Sequence, residues 1–193
     1  MRRLGVFGYA SLVSRESASQ TLGRAVTDVF PTRLAGWRRR WSAFRDNLAV
    51  EKTFARADNG ALLRYCLGLN LERAEGPGPN GGLIEVSEDE LRRLDLRELR
   101  YDRVEVTEDL DPTAADRFER AFAYVVKPEH YAPKPPDGAV VIAAYAQAVE
   151  AAFSELGPDH LELFCATTEP PGVELVEALL VTGQIPEGNP RAW

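Results

Sequence analysis

The stretch that decides the reading is Leu91-Arg92-Arg93-Leu94-Asp95-Leu96-Arg97-Glu98-Leu99-Arg100-Tyr101-Asp102-Arg103. Just before it stands Ser87-Glu88-Asp89-Glu90, a capping-box signature with Ser87 as N-cap and Glu90 three residues on. A short helix is therefore expected from Glu88. Leu91, Leu94 and Glu98 lie at i, i+3 and i+7, the spacing of one helix face. At roughly 100° per residue, Glu98 falls within about 20° of Leu91 if the helix lasts that far. A carboxylate on an apolar stripe is costly without a partner or a task. Desolvation raises a carboxyl pKa, and a base tuned towards neutrality suits proton abstraction from an amine or hydroxyl. The competing reading ends the helix near Arg97 and pairs Glu98 with Arg100 or Arg103. Spacing alone leaves both open.

Working outward, Tyr101 to Thr107 alternates as a strand, and Ala121 to Val126 reads as another. Upstream, Leu83 to Val86 reads as a strand after a glycine- and proline-rich loop from Ala74 to Gly82. Ala61 to Leu71 is strand-like. Arg33 to Phe44 alternates, with Trp37, Arg39, Trp41 and Ala43 on one side. The triplet Arg38-Arg39-Arg40 within it reads as a solvated strand edge that resists edge pairing. Ala25 to Phe30 alternates weakly and is expected to stop at Pro31. The N-terminal run Leu4 to Tyr9 is apolar throughout, so it reads as a buried strand. Ser14 can cap a helix that Gly23 ends.

The texture changes after Pro128 to Gly138, which holds four prolines. Helices are expected over Ala139 to Leu156, from Pro158 through Phe164, and over Val173 to Val181. Gln184 to Trp193 reads as irregular, with Gly188-Asn189-Pro190-Arg191 as turns. Strands first and helices last make an α+β pattern, not a βαβ alternation. Residues 1–127 are expected to form the core, and residues 128–193 a Pro-rich linker with a helical segment packed on it. That segment can serve as a lid, a homodimer contact or a cover for an open sheet edge.

Bulk properties narrow the chemistry. The 193 residues suit one domain, and 45% hydrophobic residues support a real core. The net charge of -7 argues against nucleic acid or an anionic membrane as partner. No run reaches the roughly 20 apolar residues of a membrane span. Met-Arg-Arg is followed by only a short apolar run, so no secretory leader is expected and a cytoplasmic location is the default. Two cysteines and two histidines, none in ligand spacing, imply no metal site. Cys66 and Cys165 both fall in apolar patterns and read as buried structural thiols.

A second candidate feature is the turn Tyr9-Ala10-Ser11-Leu12 between the first strand and helix. Such a turn exposes backbone N–H groups that can hold a carboxylate, and Ser11 adds a hydroxyl. Taken together, Phe7-Gly8-Tyr9-Ala10-Ser11-Leu12 and Leu94-Asp95-Leu96-Arg97-Glu98, followed by Tyr101, resemble the γ-glutamylcyclotransferase family. The phrase Leu34-Ala35-Gly36-Trp37-Arg38-Arg39 and the run from Gly82 to Leu91 fit its intervening pattern. The resemblance covers roughly residues 4 to 127.

The resemblance implies a small mixed β-barrel-like fold with packed helices. It also implies cyclisation of a γ-glutamyl group to 5-oxoproline with release of an amine, amino acid or peptide. No cofactor is implied. Glu98 would be the general acid/base, the Tyr9–Leu12 turn would hold the substrate, and Tyr101 would line the pocket. Where the family has glycine in the turn, this chain has Ala10. If the position needs a left-handed backbone, alanine costs about 1 kcal/mol; otherwise it adds a methyl to the pocket wall. Glutathione, γ-glutamyl amino acids and γ-glutamyl amines share the reacting end, so the motifs do not choose among them. Two other classes compete: a non-catalytic sensor that keeps the pocket, and a structural interaction domain that uses the C-terminal helices.

Overall fold

The computed structural model describes residues 3–48 and 51–183. Strand β1 (Leu4–Gly8) is buried along its whole length. After a 3-10 turn (Ser11–Val13), the Ser14 hydroxyl accepts from the Ser17 amide and opens α1 (Arg15–Leu22). Gly23 closes that helix at φ 72°, a left-handed conformation that glycine adopts without strain. Four strands come next: β2 (Phe30–Arg33), β3 (Trp37–Asp46), β4 (Lys52–Arg56) and β5 (Tyr65–Arg73). Then come β6 (Asn80–Val86) and α2 (Glu88–Arg97). The capping box of α2 is complete: the Ser87 hydroxyl accepts from the Glu90 amide, and the Glu90 carboxylate accepts from the Ser87 amide. Next are β7 (Tyr101–Glu105), a single turn α3 (Pro112–Ala115) and β8 (Arg120–Val126). The chain continues through β9 (Ala139–Ile142), α4 (Ala143–Leu156), α5 (Pro158–Ala166), β10 (Leu175–Val176) and β11 (Ala178–Gly183).

The strands form a mixed five-stranded sheet ordered β2-β6-β1-β8-β7 and a four-stranded sheet ordered β10-β9-β5-β3. A separate ribbon pairs β4 with β11. The α+β class and the mixed sheets hold, but among the described residues no sheet closes into a barrel. Helices cover the faces that closure would have protected. On one face, Leu91 and Leu94 of α2 pack with Leu22 of α1 against Ile84 and Phe122. Each of these two leucines is at most 2% exposed, a burial that stabilises by roughly 1.5–3 kcal/mol apiece. On the other face, Phe7, Trp37, Leu71 and Leu83 share one core with Phe153 of α4 and Phe164 of α5.

Several local expectations are corrected. Pro31 lies inside β2 instead of ending a strand, because β2 is the sheet edge, where a missing N–H costs nothing. The loop read over Ala74 to Gly82 ends sooner, since β6 begins at Asn80. There Gly81 lets two backbones close up: a Cβ at Gly81 would come within 2.3 Å of the Gly8 carbonyl oxygen. The alternation in β3 breaks at a bulge between Arg40 and Ala43, which buries Ser42 as well as Ala43. Arg39 is not on a solvated edge; it is 1% exposed.

Ala139 to Ile142 is strand rather than helix, pairing in parallel with β5 and β10. Val173 to Val181 is not a helix either. It supplies β10 and β11, whose partners β9 and β4 lie far away in sequence. Cys66 is buried, whereas Cys165 is exposed, because α5 turns Phe164 inward and its neighbour out. Residues 184–193, including the turns read at Gly188 to Arg191, lie outside the described residues.

Candidate active site

Helix α2 stops one residue before Glu98, which is its C-cap. The Glu98 amide donates to the Leu94 carbonyl and the Glu98 carbonyl accepts from the Tyr101 amide, both at 2.8 Å. These two bonds hold the backbone of Glu98 between helix and strand. Its side chain lines a cleft, yet the residue is only 9% exposed. It pairs with Arg97, Nε to Oε1 at 3.3 Å, and not with Arg100 or Arg103. Arg100 instead pairs with Glu51, and Arg103 with Asp95. A carboxylate at a helix C-terminus faces the negative end of the dipole, and the Arg97 cation offsets this.

The turn after β1 comes to the same place. Gly8 lets it fold back, since a Cβ there would come within 3.0–3.2 Å of Leu12 and Val13. The Val13 amide donates to the Ala10 carbonyl and the Ser14 amide to the Ser11 carbonyl. Ala10 has φ -143°, so this turn makes no left-handed demand and Ala10 contributes a methyl to the wall. Arg97 bridges the two motifs: its Nη2 donates to Ser11 Oγ at 3.4 Å and to Ser17 Oγ at 3.1 Å.

All six residues singled out in the sequence line one cleft of about 640 Å³: Tyr9, Ala10, Ser11, Leu12, Glu98 and Tyr101. The cleft opens between the two sheets, with α4 along one side. The Tyr9 hydroxyl donates to the Tyr124 carbonyl at 2.6 Å, and the Tyr101 hydroxyl to the Leu69 carbonyl at 3.2 Å. Burial pushes the Tyr9 phenol well above its ordinary value, and Tyr101, Glu98 and Tyr145 nearby add to this. Tyr9 is thus a neutral donor, already committed to a carbonyl. Cys66 also lines the cleft, but burial raises its thiol, with Arg45 opposing. That makes it a poor thiolate nucleophile.

Sequence reasoning missed other lining residues. Arg97 stood beside Glu98 without being weighed as its partner. Tyr145 on α4 lines the cleft and sits four residues before buried Val149, a spacing that could have flagged it. Arg45, Lys52 and Arg100 bring positive charge to the cleft, and no motif marked them. Among the described residues no cluster of histidine, cysteine or acidic side chains could hold a metal ion. Nor, among those residues, is any helix long and apolar enough to cross a membrane.

No protein-family model matches the chain, and no curated protein matches it by sequence. Solved structures do. One is a γ-glutamyl cyclotransferase, 15% identical, with a TM-score of 0.57 over 89% of this chain and 90% of that one. An uncharacterised human protein is 16% identical, with a TM-score of 0.58 over 97% and 95%. A yeast γ-glutamyl cyclotransferase specific to glutathione is 14% identical, with a TM-score of 0.52 over 88% and 98%. The chain therefore has the fold of the γ-glutamyl cyclotransferases, as the motifs implied.

Proposed function

We propose that the cleft cyclises a γ-glutamyl group to 5-oxoproline, with Glu98 as general acid/base. One observation carries the reading: a buried carboxylate, held by its backbone on both sides, lines the same cleft as the Tyr9–Leu12 turn. In this reaction the substrate's α-nitrogen attacks its own γ-carbonyl carbon. Glu98 removes a proton from the α-ammonium, and a tetrahedral intermediate forms. The attacking nitrogen gives up its second proton to water, the bond from that carbon to the leaving nitrogen breaks, and Glu98 returns its proton to that nitrogen, so the products are the lactam and the free amine. The nucleophile belongs to the substrate, so positioning supplies much of the acceleration. Backbone N–H groups of the turn and the Ser11 hydroxyl would hold the substrate's carboxylate or its developing oxyanion. Tyr101 and Tyr145 would shape the wall around the glutamyl chain.

The test is 5-oxoproline release from a panel of glutathione, γ-glutamyl amino acids and γ-glutamyl amines. Release by the wild type and its loss in Glu98→Gln are expected. No release from any member, or equal release by Glu98→Gln, sinks the reading. Binding of a panel member without release would instead favour a non-catalytic sensor.

A further inference from the structure

Among the described residues, Arg39 is the largest fully buried side chain, and it carries a charge. Strand β3 turns it inward beside Trp37. Its guanidinium lies over the Phe164 ring at 4.2 Å and the Phe153 ring at 4.8 Å, and these rings stack on each other at 4.5 Å. The Nε donates to Thr168 Oγ1 at 2.7 Å. The Nη1 donates to the Asn80 carbonyl at 2.7 Å and to the Tyr9 carbonyl at 3.2 Å. The Nη2 reaches Asn80 Oδ1 at 3.1 Å, Thr167 Oγ1 at 3.2 Å and the Phe164 carbonyl at 3.4 Å. All these acceptors are neutral.

A buried cation without an anion is expensive, and an apolar residue of similar volume could fill the space. What an apolar residue could not do is join three separate pieces of chain. Tyr9 opens the turn of the cleft, Asn80 starts β6, and Phe164, Thr167 and Thr168 end α5. Asn80 extends the junction, donating from Nδ2 to the His160 carbonyl at 2.8 Å. Thr167 does so too, donating to the Leu163 carbonyl at 2.7 Å. The planar fork of arginine, with five donors in fixed directions, suits this junction as a flexible ammonium does not.

We infer that Arg39 is a positioning residue for the substrate-binding turn, and that through it the end of α5 holds the Tyr9–Leu12 turn in its binding conformation. This rests on the proposed cyclotransferase reading for its kinetic test, but not for its structural one. Loosening the turn weakens substrate binding and leaves the chemistry at Glu98 in place, so it raises KM more than it lowers kcat. A merely structural role does the reverse: it removes active molecules and lowers apparent kcat at constant KM.

The variants are Arg39→Lys, which keeps the charge but not the fork, and Thr167→Val with Thr168→Val, which leaves Arg39 intact and removes two of its acceptors. Arg38→Gln, on the outer face of the same strand, is the control. Each is measured for 5-oxoproline release and for hydrogen exchange of the Val13 and Ser14 amides by NMR. We expect KM to rise about tenfold in Arg39→Lys and in the threonine double variant, the scale of one or two lost charge-assisted hydrogen bonds. Exchange at Val13 and Ser14 should quicken by a similar factor, with the control unchanged. If the threonine variant keeps both KM and turn exchange within about twofold of wild type, the inference is overturned. Full rescue by lysine overturns it too, because charge alone would then suffice. A wild type that releases no 5-oxoproline defeats the cyclotransferase reading; turn exchange in the same variants then decides the role of Arg39 by itself.

Discussion

Glu98 and Arg39 are two of the buried charges beside the Tyr9–Leu12 turn, and the protein treats them in opposite ways. Glu98, 9% exposed, pairs with Arg97 and lines the cleft. Arg39, 1% exposed, is enclosed by two phenylalanine rings and neutral acceptors. A charge with access to a cleft can gain or lose a proton to a ligand. A charge whose donors are all engaged can only hold its surroundings in place. The difference lies in what each residue's partners leave open.

The comparison breaks most readily at Glu98. Glu98→Gln should lower kcat for 5-oxoproline release by about 10²–10⁴-fold, the usual worth of a positioned acid/base. It should cost less stability than Arg39→Met, since Arg97 keeps Ser11 and Ser17 as acceptors. Arg39→Met should show the opposite pattern. It strands the Tyr9, Asn80 and Phe164 carbonyls in the interior and should cost about 3 kcal/mol of stability by urea unfolding. If Glu98→Gln proves the more destabilising of the two, the division of labour is wrong.

A smaller effect separates building the helix from placing the carboxylate. Ser87→Ala removes the capping box at the far end of α2 and should cost about 1 kcal/mol by thermal unfolding. It should leave kcat unchanged, because Glu98 is held at the other end by Leu94 and Tyr101. A fall in kcat matching Glu98→Gln would mean that the whole helix, and not its C-cap, sets the carboxylate.

The two charges are unequally legible in the sequence. Glu98 stands out through local rules, the capping box and the leucine spacing, and both work within ten residues. Those rules leave its backbone open, because a helix end depends on the residues beyond it, here the turn into Tyr101. Arg39 falls correctly on the Trp37 side of its strand, yet an arginine among arginines reads as solvated. Its acceptors stand 30 to 129 residues away, and no local pattern shows them. The same limit explains Val173 to Val181. A short apolar run fits a helix or a strand, and only distant β9 and β4 decide for strand. The open sheets are illegible for a related reason, since closure depends on which edges meet and not on any strand by itself.

The smallest effect sharpens the contrast within a single triplet. Arg38 and Arg40 flank Arg39 but point outward to Glu72, at 2.8 and 3.3 Å. Burial pushes the Glu72 carboxyl up, but the Ser42 hydroxyl and the two arginines outweigh it and hold the group below its ordinary 4.5. A carboxyl with a depressed folded value stabilises above its unfolded value, and that contribution fades as pH falls through the folded one. The stability of wild type over Glu72→Gln should therefore be at most about 1 kcal/mol at neutral pH and fade in acid, as pH falls through the lowered folded value. The difference between wild type and Arg39→Met should persist across the same range, because none of its acceptors titrates there. Urea unfolding of the three proteins from pH 7 to pH 3 measures both. If the Arg39→Met difference fades in acid along with that of Glu72→Gln, then Arg39 draws on a carboxylate after all, and the triplet is one ionic patch instead of two surface ion pairs around a neutral-bonded pin.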